Sequence, residues 1–156
     1  MYIWDMNNIS KKFEQIEHLS DIGIKIYGNS LEQLFENAAE GMFSIMCDLK
    51  KINPAVKRNI TIEEYNKVSL EGLLVLWLEN LLYRFEIEDM LFSRFKIKKF
   101  LTEDSRSIIK ADIFGEKVDF GKHEIVVAVK APTYHMLEVR KDKNSRGWTG
   151  KVIFDV

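Results

Sequence analysis

The chain has 156 residues, 46% hydrophobic and 30% charged, which is enough to bury the core of one globular domain and too apolar for a disordered segment. Its 23 Lys and Arg stand against 24 Asp and Glu, so bulk charge marks neither a nucleic-acid coat nor a polybasic membrane anchor. No uncharged run reaches membrane-spanning length, Met1 to Lys12 lacks a signal-peptide core, and the single Cys47 excludes an intrachain disulfide, which together predict a cytoplasmic protein with no membrane partner.

Residues 1–12 mix Tyr2, Ile3 and Trp4 with Asn7, Asn8 and two lysines, and read as an N-terminal extension to one domain over 13–156. From Phe13 an extended piece leads through a His18/Asp21 turn into a strand over Ile22 to Tyr27, where the residues alternate. Gly28-Asn29 stops that strand, and Ser30-Leu31-Glu32-Gln33 has the form of a capping box. Leu31, Leu34, Phe35, Ala38, Met42, Ile45 and Met46 then recur at three- and four-residue steps, predicting a helix to about Cys47 with a buried, unreactive thiol.

Asn59 to Val68 alternates brokenly, as an edge strand does. Ser69 caps a second helix whose stripe from Leu70 to Phe85 is the most hydrophobic in the chain, and which is expected to lie across the sheet as the main core element with Trp77 inside it. After Asp89 the period changes to two. Strands are predicted over Phe92 to Leu101, Ser107 to Phe114, Ile125 to Lys130, His135 to Arg140 and Trp148 to Asp155. This order predicts an α+β fold in two layers, with two main helices packed on a largely antiparallel sheet.

Phosphate loops, the nucleophile elbow of α/β-hydrolases, the HExxH zinc pair and Cys/His zinc spacings are all missing from the sequence. Two polar constellations remain. One is His18 and Asp21 with Asp155 and Val156 at the end of the sequence. A strand-end aspartate is ordinarily a solvated cap or turn residue. Brought together by a sheet, Asp21, Asp155 and an α-carboxylate at Val156 would repel one another unless a cation sat among them, and hard oxygens favour Ca²⁺, Mg²⁺ or Mn²⁺. The other constellation is His123-Glu124 with the block Lys130 to His135. Lys130, ending a row of small apolar residues, either snorkels outward or meets a carboxylate. His135 reads equally as a hydrogen-bonded strand histidine.

Five blocks in this order resemble the archease family: Glu17-His18-Leu19-Ser20-Asp21-Ile22-Gly23, the helix Leu31 to Met46, Leu76-Trp77-Leu78-Glu79-Asn80-Leu81-Leu82-Tyr83, His123 with Val129-Lys130-Ala131-Pro132-Thr133-Tyr134-His135, and Val152-Ile153-Phe154-Asp155-Val156. The pair Leu19-Ser20 departs from the family's usual Thr-Ala. The resemblance implies a protein cofactor, not itself an enzyme, of the RtcB-type RNA ligase that joins tRNA exon halves with GTP and divalent metal. Such a cofactor promotes the ligase's guanylylation and multiple turnover, and meets tRNA only through it. The resemblance also implies a metal site at Asp21, Asp155 and Val156, with Ca²⁺ foremost, a functional lysine at Lys130, and supporting roles for His18 and His135. Two other readings stand beside it: a chaperone-like modulator protecting a tRNA cytosine methyltransferase from aggregation, and a metal-dependent hydrolase using His18, Asp21 and Asp155.

Overall fold

The computed structural model describes residues 11–18 and 20–156, and of His18 the strand position alone. The reading of the N-terminal extension therefore lies outside the described residues except at Lys11 and Lys12, as does Leu19. The elements are β1 (Phe13–His18), β2 (Asp21–Gly28), α1 (Leu31–Met46), β3 (Val56–Glu64), α2 (Leu70–Glu88), β4 (Met90–Thr102), β5 (Ser107–Lys117), β6 (Ala131–Pro132), β7 (Glu138–Lys141) and β8 (Trp148–Asp155). Among the described residues, two α-helices and antiparallel strand pairs alone make the α+β fold that the element order predicts. The strands divide between two sheets. The first runs β1-β2-β8-β6, with β7 also pairing β8, and the second runs β3-β5-β4.

The helix ends follow from local chemistry. Ser30 Oγ accepts the Gln33 N–H at 3.1 Å, and the Gln33 side chain reaches back to the Asn29 N–H at 2.6 Å, one residue beyond the usual box. Ser69 Oγ accepts the Gly72 N–H at 3.0 Å. At the other end of α2, Asp89 adopts a left-handed conformation (φ 57°, ψ 44°), which turns the chain directly into β4.

The core lies between the helices and the two sheets. Phe43 stacks on Phe95 at 5.7 Å between centroids, and Trp77 meets the Phe95 ring edgewise at 6.5 Å. The buried Trp77 indole donates to the Phe35 carbonyl at 2.9 Å, tying α2 to α1. Contrary to expectation, α1 and not α2 is the more deeply buried helix. Ala38, Ala39 and Gly41 let α1 approach β2 closely, since a β-carbon on Gly41 would lie 2.8 Å from Ile24 Cδ1. The hydrophobic residues of α2 run past its buried stripe and leave Tyr83 and Ile87 exposed.

The predicted strand over Ile125 to Lys130 does not form. Its backbone partners lie on different elements: Val126 N–H donates to Met46 O, and Lys130 N–H donates to Asp155 O. Val129 is buried and Val126 exposed, so the alternation reflects one-sided burial of an extended connection without a ladder. The strand expected from His135 begins only at Glu138, because a turn over Tyr134 to Leu137 intervenes with Met136 at φ 55°.

Candidate functional site at the end of the first sheet

The β1–β2 hairpin closes with His18 paired to Asp21, and β2 pairs β8 through Ile22↔Phe154 and Gly23↔Ile153. Asp21 and Asp155 are each the next residue along their strands, so antiparallel pairing makes them neighbours at one sheet end. On the far side of β8, Ala131 pairs with Asp155, and the Lys130 N–H donates to the Asp155 carbonyl at 2.8 Å. Val156 follows, partly buried against the core. Strands that are distant in sequence thus bring Asp21, Asp155, Val156 and the Lys130 backbone together. Gly23 keeps β2 close to β8 here: a β-carbon on it would lie 2.6 Å from Ile153 Cδ1.

Side-chain directions separate this group. Val152 and Phe154 enter the core, so strand alternation turns exposed Asp155 to the opposite face with Ile153. Lys130 instead lines an open groove of about 540 Å³ beside α2, with Glu79, Asn80, Leu82, Tyr83, Glu86, Ala131 and Pro132. Glu79 and Glu86 of α2 line the same groove. Among the described residues neither Asp21 nor Asp155 has an ion-pair partner. Among the same residues, no three His, Cys, Asp or Glu side chains gather closely enough to hold a metal ion. A cation there would need the main-chain oxygens of Val156 as well as both carboxylates.

The two described histidine side chains differ in surroundings. His135 is exposed in the turn after Thr133, and its N–H donates to Thr133 Oγ1 at 3.3 Å, so it is not the strand histidine that the pattern suggested. Thr133 anchors the turn, both its N–H (2.9 Å) and its hydroxyl (2.8 Å) donating to the Ile153 carbonyl. His123 is 1% exposed and structural. Its Nδ1 accepts the Asp119 N–H at 3.0 Å, which leaves the proton on Nε2, within 2.9 Å of Glu116 Oε2 and 3.1 Å of the Lys51 carbonyl.

Glu116 is the centre of that cluster, and nothing in its sequence context marks it. Burial would raise its carboxyl, but hydrogen bonds from Lys122 (2.6 Å), the Asn53 N–H (2.7 Å) and His123 outweigh this and hold it at about 2. Burial pushes the Cys47 thiol up, in keeping with an unreactive cysteine. The groove residues Glu79, Tyr83 and Glu86 were also missed, although their spacing of four and three residues on α2 places them on one helix face.

Comparison with known proteins identifies the family. The Archease protein family (MTH1598/TM1083) matches residues 13–156. The protein archease of Methanosarcina mazei is 36% identical over 151 residues, covering 97% of this chain and all of that protein. The protein archease of Sulfurisphaera tokodaii is 40% identical over 134 residues, covering 86% of this chain and 92% of its relative. The solution structure of Methanobacterium thermoautotrophicum protein 1598 superposes with a TM-score of 0.78 at 34% identity, covering 92% of this chain and 98% of the other. With a family match over nearly the whole chain, and relatives covered almost end to end, this chain belongs to the archease family.

Proposed function

We propose that this protein is a non-enzymatic activator of an RtcB-type RNA ligase, promoting the ligase's guanylylation and multiple turnover in tRNA exon ligation. Membership of the archease family gives the class. The observation that carries the reading is the pairing at the sheet end, which makes Asp21 and Asp155 neighbours and hangs Lys130 from the Asp155 carbonyl. Two adjacent carboxylates without a counter-charge suit a hard divalent cation, Ca²⁺ foremost and Mg²⁺ or Mn²⁺ next, with waters completing the shell. Asp21, Asp155 and a main-chain oxygen of Val156 would hold it. The ion would supply positive charge at an exposed tip, where it can be presented to a partner's active site.

Lys130 has a separate part in this scheme. It faces a groove walled by Glu79 and Glu86, so it is offered to the partner or its nucleotide. The test is a multiple-turnover ligation assay with the ligase, GTP and divalent ion, with and without this protein. Stimulation by the wild type is expected, and it should be lost in Asp155→Ala and weakened in Lys130→Ala. Full stimulation by Asp155→Ala rules the tip out. Hydrolytic turnover by the protein alone would replace the activator reading with an enzymatic one.

A further inference from the structure

The outer face of the second sheet carries a concentration of positive charge that the overall composition conceals. Directly opposed residues of antiparallel strands share a face. The pairings Lys57↔Phe114↔Arg94, Asn59↔Asp112↔Lys96 and Thr61↔Lys110↔Lys99 therefore put these side chains on one surface. Their strand neighbours Ile60, Ala111, Ile113 and Phe95 enter the core, which makes this the solvent side from Lys110 to Phe114, while Ile108 farther along the same row is fully buried. An irregularity between Ile97 and Lys99 adds Lys98, whose Nζ lies 3.6 Å from Asp112 Oδ2. Six cations thus gather around Asp112, with Glu63 and Glu116 at the two ends of the same row, in a chain of net charge −1. Glu63, at the far corner, is engaged by the Tyr65 hydroxyl at 2.5 Å.

Edge protection by lysine accounts for positive charge on outer strands. It does not account for Lys110, which sits on the central strand β5 directly opposite Lys99. Like charges in that position oppose folding. Among the described residues only Lys98 of the six is in an ion pair. Within this field the half-buried Phe114 lies between Lys57 and Arg94, with the Arg94 guanidinium 5.0 Å from its ring centroid. A ring on a sheet flanked by cations can stack a base while the cations hold the flanking phosphates. The face carries one partly buried ring among polar and charged residues and no apolar stripe of the kind that enters a bilayer, which favours nucleic acid over an anionic lipid surface.

We propose that the outer face of the second sheet, Lys57, Arg94, Lys96, Lys99 and Lys110 around Phe114, binds single-stranded RNA without sequence preference. The inference is independent of the ligase reading, because it concerns binding by this protein alone. The experiment is fluorescence anisotropy of a short labelled uridine-rich RNA titrated with the full chain at about 50 mM and about 200 mM salt. Binding in the range of about 10⁻⁴ to 10⁻⁶ M is expected, with log K falling as log salt rises by about 0.7 per phosphate neutralised.

The triple variant Lys96→Gln/Lys99→Gln/Lys110→Gln should bind at least about tenfold more weakly and lose about 2 from the salt slope. Phe114→Leu keeps an apolar side chain without the ring. It should weaken binding about fivefold or more while leaving the salt slope unchanged. Thermal melts of both variants establish that the fold is retained, and the single Lys110→Gln serves if the triple variant is unstable. Wild-type binding that ignores salt, or a folded triple variant that binds as tightly as wild type, overturns the proposal. So does retention on phosphatidylserine vesicles without RNA binding.

Discussion

The end of the first sheet and the outer face of the second are both polar surfaces built on antiparallel strands, and both set like charges side by side. At the first, Asp21 and Asp155 meet where strands stop, so their carboxylates reach water or an ion without disturbing a ladder. At the second, Lys110 and Lys99 meet within the ladder, on strands whose opposite faces are core. A terminal cluster can be altered with little effect on folding, whereas a face within a sheet is part of the wall that encloses the hydrophobic interior. In either place the repulsion is relieved by opposite charge, positive for the aspartates and negative for the lysines.

Four substitutions test that contrast. The largest effect is expected from Trp77→Ala, which removes a fully buried indole and its hydrogen bond to Phe35. It should cost about 3–5 kcal/mol in chemical denaturation and weaken both regions together, because their sheets share this core.

Next is the acid response of the cluster around Glu116, at the end of β5. Glu116 titrates near 2 when folded against an ordinary 4.5, so its contribution to stability is complete above about pH 4.5 and lost as pH falls towards 2. Glu116→Gln should destabilise by about 1–3 kcal/mol at neutral pH and flatten that acid limb in melts recorded between pH 5 and pH 2. An unchanged acid limb in the variant would show that other carboxylates govern it.

Asp155→Asn has a smaller, conditional effect. Without metal, stability should be unchanged or slightly raised, since one of two neighbouring carboxylates is neutralised. In millimolar Ca²⁺ or Mn²⁺ the wild type should gain stability with occupancy, by about 2.7 kcal/mol at a hundredfold excess over Kd, and the variant should gain none. An equal gain in both places the ion elsewhere. The smallest effect belongs to the lysines. Lys110→Gln should alter stability by no more than about 0.5 kcal/mol, and in the stabilising direction. A loss of several kcal/mol would mean that the cation supports the sheet.

Much of the frame was legible from residue patterns. The Ser30 cap, the helix Leu31 to Met46 and the last strand Trp148 to Asp155 match the structure because each depends on contacts within a few residues or on an unbroken period. The strand expected over Ile125 to Lys130 failed because alternation reports burial on one side, whereas a strand also needs a continuous partner. The buried helix was misjudged for a related reason. Hydrophobic content singles out α2, but depth depends on how closely a sheet can approach, and Ala38, Ala39 and Gly41 decide that for α1.

The candidate site divides in the same way. By itself the sequence determined which residues carry charge, where helices start, and the order of motifs shared with the archease family. Only the tertiary structure decided which charges become neighbours. Asp21 meets Asp155, Lys130 shares a groove with Glu79 and Glu86, His123 is locked to Glu116, and six cations line one sheet face in a chain of net charge −1. Local signals act over one or two turns of chain. Charge adjacency is set by strand register between segments far apart in sequence, as between Ile22 and Phe154, and composition averages it away.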